Sequence, residues 1–323
     1  MPSARSMWRA ANTTARRRVR HCASLTAAQH DAMQLTRARA EESVLKSLVR
    51  PLPHSSEAVD DVRSFGVARI AAALSDRTAS VLCEEVLDQL AHAQEHLTGF
   101  DDGEEGSHFS AVLGAAGSEA AIAEGDETRW DVRLQLSLPV QAALHELLRG
   151  PVGDALEELA GGTARLHELA AVVSAPGAVP QVLHPDADWS GAASVFSAFV
   201  ALHDVPAELG PTLFLRGTHT EEAHVAHAAG VAATSGRRDE VAHCYRAFLA
   251  AADARAAVLR CGEASVYDRR LLHAGGRNAS DVARVQFYVT FARVDVEGAD
   301  VWNAYSIRTE YRDTMRLARF RDV

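Results

Sequence analysis

Two periodicities divide the chain. Phe65 to Ile70 is a short apolar run that reads as a strand, and a helix is expected to open after it at Ser75 or Asp76, either of which can cap it. Val81, Leu82, Val86, Leu87 and Leu90 then recur at helical spacing along one side, and the helix should stop before Thr98-Gly99. Arg129 to Leu136 alternates polar and apolar residues, the mark of a strand with one buried face, and turns Arg129 and Arg133 to the other. Helices are predicted from about Pro139 to Leu148 and from Pro151 to Gly161-Gly162. Leu166 to Ser174 is apolar and β-compatible, and it ends at the Pro176-Gly177 turn.

Beyond that turn the elements shorten. Val195 to Leu202 is rich in β-branched and aromatic residues, Thr212 to Leu215 is a second short strand, and Arg216 to His219 is a turn. Val241, Cys244, Tyr245, Phe248 and Leu249 predict a helical insertion from Asp239 to about Ala252. Four further strands are expected at Ala256–Leu259, Ala264–Tyr267, Leu271–His273 and Val285–Arg293. Short strands punctuated by Gly and Pro, following a more helical first half, predict a mainly β sandwich or barrel with flanking helices.

Composition sharpens the boundaries. No acidic residue precedes Asp31, whereas Arg5, Arg9, Arg16, Arg17, Arg18 and Arg20 are interleaved with Ser, Thr and Ala. That composition belongs both to organellar transit peptides, mitochondrial or plastid, and to disordered basic tails, and it does not choose between them. Residues 1–55 are therefore set apart from an expected body over 56–298. The arm 299–323, with five arginines from Arg308 to Arg321, is a helix packed on the barrel, a partner surface or a solvated tail. The acidic stretch Asp101 to Gly106 lacks the ligand spacing of a calcium loop.

A formal charge of −10 argues against nucleic acid as a partner, since phosphate binding needs clustered cations. Four scattered cysteines suggest reduced intracellular thiols. No apolar run approaches the ~18 residues of a membrane span, so a soluble intracellular protein is expected, cytoplasmic unless the N-terminus targets it to an organelle.

Candidate chemistry centres on Gln181-Val182-Leu183-His184-Pro185-Asp186. Residues at i and i+2 of an extended strand share a face, so His184 and Asp186 could hold one ion and His273 could complete the grip. Two histidines and a carboxylate form the facial triad of non-haem Fe(II) oxygenases, which leaves positions open for cosubstrate and dioxygen. With fifteen histidines in the chain an accidental H-x-D is easily met, and local turn hydrogen bonding is the alternative. Downstream, Gly275-Gly276 with Asn278 makes a reversal, and Arg284 opens the next strand. Flanking strands would turn His273 and Arg284 into one cavity, where a guanidinium can clamp the distal carboxylate of a dicarboxylic cosubstrate.

The segments "QVLHPD", "ALHDVPAELGPTLFLRGTH", "GEASVYDRRLLHAGGRNAS" and "RVQFYVTF" carry a resemblance to the phytanoyl-CoA dioxygenase family of Fe(II)/2-oxoglutarate oxygenases. The eleven-residue interval from His273 to Arg284 matches the family's spacing between distal histidine and carboxylate-binding arginine. The resemblance implies a double-stranded β-helix, a cupin-like jelly roll with helices outside. His184, Asp186 and His273 would bind Fe(II), and Arg284 would bind 2-oxoglutarate. Gln181 falls on a family-like position suited to hydrogen bonding, Phe199 where an aromatic wall adjoins the cosubstrate, and His219 in a "PGSH"-like turn. Asp268 and Asn278 fit turn-shaping positions.

Three departures stand out: Arg216 for Pro, Glu263 for Asp, and Gly275 where Ser often helps bind the cosubstrate. Asp186 is retained, which argues against a halogenase. The expected function is oxidation, by hydroxylation or a related outcome, of a small organic substrate with dioxygen, releasing succinate and CO2. The alternatives are a non-catalytic jelly-roll binding protein of the family and a cupin-like metal enzyme that does not use 2-oxoglutarate. Substrate and oligomeric state are not legible.

Overall fold

The computed structural model describes residues 50–97, 112–114, 128–178, 180–181, 183–187, 189, 195–234, 253–293 and 306–321. The expected acidic loop at 101–106 and the helical insertion from Asp239 to Ala252 lie outside them.

The larger sheet contains β2 (Val67–Ile70), β3 (Val112–Gly114), β4 (Arg129–Arg133), β5 (Arg165–Ser174), β6 (Val195–Ala201), β9 (Ala264–Asp268) and β11 (Arg284–Ala292). Its order is β2-β9-β6-β11-β5-β4-β3, and every pairing is antiparallel. The smaller sheet places β1 (Arg50–Pro51), β8 (Asp253–Ala256), β7 (Thr212–Arg216) and β10 (His273–Gly275) in that order. The helices are α1 (Ala58–Phe65), α2 (Asp76–Leu97), α3 (Leu138–Arg149), α4 (Pro151–Ala160), α5 (Glu221–Thr234) and α6 (Leu317–Arg321). This is a jelly roll of the cupin-like class, mainly β with flanking helices.

Strand β11 shows how sequence sets the layers. All nine residues are buried, but their chemistry alternates. Val285, Phe287, Val289 and Phe291 join Leu82, Val86, Leu144, Leu147 and Leu156 in the core between sheet and helices. Arg284, Gln286, Tyr288 and Thr290 take the opposite, inward face, because successive strand residues project to opposite sides. On that inner side, Phe214 of β7 packs against Tyr267 of β9 with ring centroids 5.1 Å apart, which joins the two sheets.

The expected strands at Leu166–Ser174, Val195–Leu202, Thr212–Leu215, Ala264–Tyr267 and Val285–Arg293 appear with ends moved by a residue or so. Helix α2 starts at Asp76, where the Ser75 hydroxyl accepts the Thr78 N–H at 3.3 Å. Other expectations were displaced. Phe65 closes helix α1 rather than opening a strand, and Gly66, at φ 81, ends that helix. The strand expected at Ala256–Leu259 is β8, three residues earlier, and Leu259 makes only an isolated bridge to Val205. Helix α5 was not foreseen, because its Ala- and Val-rich sequence has no one-sided apolar stripe. Ile307, Met315, Leu317 and Phe320 are buried in the helix-side core, and Arg321 donates to the Leu148 carbonyl at 2.8 Å. Among the described residues, no helix is long and apolar enough to cross a membrane.

Candidate metal centre

His184 and His273 face each other across an isolated antiparallel bridge. The His184 N–H donates to the His273 carbonyl at 3.0 Å, and the return bond is 2.9 Å. Asp186 N–H donates to the Arg269 carbonyl at 2.9 Å. The H-x-D stretch therefore lies along β10 as one bridge and a bend, rather than inside a longer strand. One ligand-type atom from each of His184, Asp186 and His273 falls within 4.8 Å of the others, and no other such group is found among the described residues. His184 Nε2 is 3.7 Å from Asp186 Oδ1, and His273 Nε2 is 3.5 Å from Oδ2. The Leu271 carbonyl accepts from His273 Nδ1 at 2.9 Å, so that nitrogen carries a proton and Nε2 is the ring atom turned to the centre.

A second layer of side chains holds Asp186. The Tyr267 hydroxyl donates to Asp186 Oδ2 at 2.9 Å, and Arg269 Nε lies 3.7 Å from the same oxygen. Arg269 Nη1 also pairs with Glu168 at 3.1 Å, and Glu168 accepts from Thr290 Oγ1 at 2.6 Å. Burial works to raise the Asp186 pKa, but the charges of His273, Arg269 and His184 with the Tyr267 hydrogen bond hold it down at about 2. Asp186 is thus a carboxylate. Burial pushes the Tyr267 hydroxyl well above its ordinary range, with the Asp186 charge adding to the effect, so Tyr267 remains a donor. Farther in, Tyr288 donates to Asp131 at 3.0 Å, and Ser306 donates to the same carboxylate. Burial raises Asp131 to about 6 and Glu168 to about 7.

The second pole of the cavity is basic. Arg284 is 2% exposed, donates through Nη1 to the Gly210 carbonyl and through Nη2 to Ser174 Oγ at 3.2 Å, and leaves Nε without a partner. Gly210 can take its place because it has φ 67, and a Cβ there would strike the Arg277 carbonyl at 2.3 Å. Among the described residues no carboxylate pairs with Arg284. Burial, with the like charge of Arg129, pulls its pKa down to about 9.

Arg129, read from sequence as a second basic contact or a solvated charge, is 2% exposed and donates to the Gly276 carbonyl at 3.0 Å. Gly275 N–H donates to Gln181 Oε1 at 2.7 Å. Gly275 itself brings no side chain to the cavity. Its missing Cβ is the space that Arg129 and Gln181 fill. Phe199 stacks on Tyr288 at 4.4 Å and 4°, and lies 5.7 Å from Tyr267, forming a wall between the two poles.

Residues at other flagged positions shape backbone. Asn278 is fully buried and donates to the Ser174 and Val282 carbonyls. Asp268 accepts from Arg270, and His219 Nε2 bonds the Arg63 carbonyl at 3.1 Å. Glu263, in place of Asp, takes Arg69 Nε at 3.1 Å. Sequence reasoning missed Tyr267, Arg269, Glu168 and Asp131. For Asp131 the signal available was the alternation along β4, where Arg129 and Asp131 share a buried face; the other three carry no such local mark.

The sequence model described as Phytanoyl-CoA dioxygenase (PhyH) matches residues 62–285. The chain belongs to the phytanoyl-CoA dioxygenase family. Membership makes it a non-haem Fe/2-oxoglutarate-dependent oxygenase. No match was found among curated proteins. Among solved structures, the oxygenase is similar to AviO1 from Streptomyces viridochromogenes Tue57, with TM-score 0.52 and 18% identity, over 78% of this chain and 100% of that one. It is also similar to SnoK, a non-heme alpha ketoglutarate dependent carbocyclase from nogalamycin biosynthesis, with TM-score 0.50 and 20% identity, over 75% and 85% of the two chains. Both likenesses bear on the fold.

Proposed function

We propose that this oxygenase binds Fe(II) through His184, Asp186 and His273, binds 2-oxoglutarate with its distal carboxylate on Arg284, and hydroxylates or otherwise oxidises a small organic substrate with dioxygen. The reading rests on one observation: a two-imidazole, one-carboxylate donor set lies along the smaller sheet, and the inward face of the larger sheet carries a buried guanidinium that no carboxylate among the described residues answers. The donors fit the metal, because this set suits non-haem Fe(II) and leaves coordination positions for other ligands. Arg284 fits the cosubstrate, because a buried cation with an orphaned donor calls for an anion of bidentate shape. Iron and keto acid together, when bound, supply the oxidising chemistry, with release of succinate and CO2.

The protein's own part is placement. The Leu271 carbonyl fixes the tautomer of His273, and Tyr267 and Arg269 fix the carboxylate of Asp186. Gln181 and Arg129, set side by side over Gly275, line the path between the poles, and Phe199 walls it with an apolar ring that helps keep water out.

His184→Ala, Asp186→Ala and His273→Ala should each abolish succinate formation from 2-oxoglutarate while circular dichroism shows an intact fold. Turnover retained in any of them removes that residue from the centre. Arg284→Ala should raise the 2-oxoglutarate KM strongly, and a silent Arg284→Ala would point to a metal enzyme that does not use this cosubstrate.

A further inference from the structure

Gln286 is 1% exposed and stands between Arg284 and Tyr288 on the inward face of β11. Its cross-strand neighbours are Val172 on β5 and Ala201 on β6. Neither side chain can accept a hydrogen bond, and Gln286 Nε2 has no partner. A buried amide donor without an acceptor is costly, and folded proteins keep few of them. Arg284 Nε, two residues earlier on the same face, is in the same condition. Along a strand such residues start about 6.6 Å apart, a gap that two long side chains can close on a common acceptor. The strand also gives a direction. From Arg284 the inward face leads through Gln286 to Tyr288, which stacks on Phe199, and Phe199 adjoins Tyr267, the donor to Asp186. Along β11, Gln286 is therefore the first polar side chain after Arg284 on the way towards the donor triad.

Resting on the reading of Arg284 as the cosubstrate's carboxylate site, we propose that Gln286 is a second donor to that carboxylate. Its N–H completes what the Arg284 guanidinium begins, and holds the carboxylate at a fixed rotation between the two side chains. A neutral amide suits this position, because a further cation would add to the repulsion Arg284 already meets from Arg129. An acid would repel the ligand.

The test is a ligand contrast read by binding, with no turnover required. Wild type, Gln286→Leu, Gln286→Glu and Arg284→Ala are loaded anaerobically with Fe(II). Each is titrated calorimetrically with 2-oxoglutarate and with 2-oxovalerate, which keeps the keto acid and the chain length but lacks the distal carboxylate. Gln286→Leu should weaken 2-oxoglutarate by about ten- to a hundredfold, the loss of one hydrogen bond to a charged group, and leave 2-oxovalerate unchanged. Gln286→Glu should weaken 2-oxoglutarate further. Equal affinity of Gln286→Leu and wild type for 2-oxoglutarate, or an equal loss for both keto acids, overturns the proposal. Thermal melting checks the fold, and if Gln286→Leu does not fold, the near-isosteric Gln286→Glu carries the same contrast. The Arg284→Ala arm separates the two levels. If it leaves 2-oxoglutarate binding intact, the cosubstrate reading fails; if it loses binding while Gln286→Leu does not, only the role of Gln286 fails.

Discussion

Putting a serine at position 275 should harm cosubstrate binding in this chain. A Cβ on Gly275 would lie 2.2 Å from Arg129 Nη1 and 2.5 Å from Gln181 Oε1, whereas carbon contacts settle near about 3.5 Å. Both neighbours must then retreat by about 1 Å to restore ordinary contact. Arg129 has little room to do so, being 2% exposed and tied to the Gly276 carbonyl at 3.0 Å. Overpacking of this kind costs about 1–3 kcal/mol, and losing the Gln181 bond to the Gly275 N–H adds about 1 kcal/mol. The backbone contributes nothing to the penalty, since Gly275 is not among the positive-φ glycines.

Gly275→Ser should therefore melt several degrees lower and bind 2-oxoglutarate with a Kd raised about tenfold or more, measured by anaerobic titration of the Fe(II) protein. Gly275→Ala should behave alike, because the cause is the Cβ. A serine variant that binds as tightly as wild type, or tighter, would refute the argument and show the hydroxyl acting directly on the ligand.

Tyr267→Phe removes the hydroxyl bound to Asp186 Oδ2 and should weaken Fe(II) binding about 10–100-fold, read by metal titration against a competing chelator. Asp131 gives a pH signature. Its carboxyl keeps its proton in the fold up to about 6, while the unfolded chain releases it near 3.8, so stability falls as pH rises through that window. The difference amounts to about 3 kcal/mol at most; urea unfolding at pH 4 and pH 7 should show this slope flattened in Asp131→Asn, and parallel slopes would exclude it. Phe287→Ala empties a fully buried site in the helix-side core and should cost about 3–5 kcal/mol by the same unfolding assay.

What could be read from sequence followed the range of the interactions. The strands from Leu166 to Phe291 declare themselves because β-branched and aromatic runs end in Gly and Pro turns, a local signal. The candidate donors were legible because His184 and Asp186 are two residues apart and His273 precedes a glycine turn. The layer behind them was not, because Tyr267 meets Asp186 across 81 positions, Thr290 meets Glu168 across 122, and Ser306 meets Asp131 across 175. Arg129 was half legible: the alternation put it on a face, but only pairing with β5 shows that the face looks inward. Helix α1 escaped notice because it is eight residues long and buries one of them, Val62.

Strand β11 ties two requirements to a single reading frame. Its odd-numbered positions from Val285 to Phe291 are core, and its even-numbered positions from Arg284 to Thr290 face the cavity. Losing one residue just after Arg284 would exchange the two sets beyond that point, sending phenylalanines into the cavity and amide and hydroxyl groups into the oil. Drift in this strand can therefore proceed by substitution within each set but not by changes of length. A new substrate preference must arise from the loops and helices around the strand, while the strand itself stays the same length.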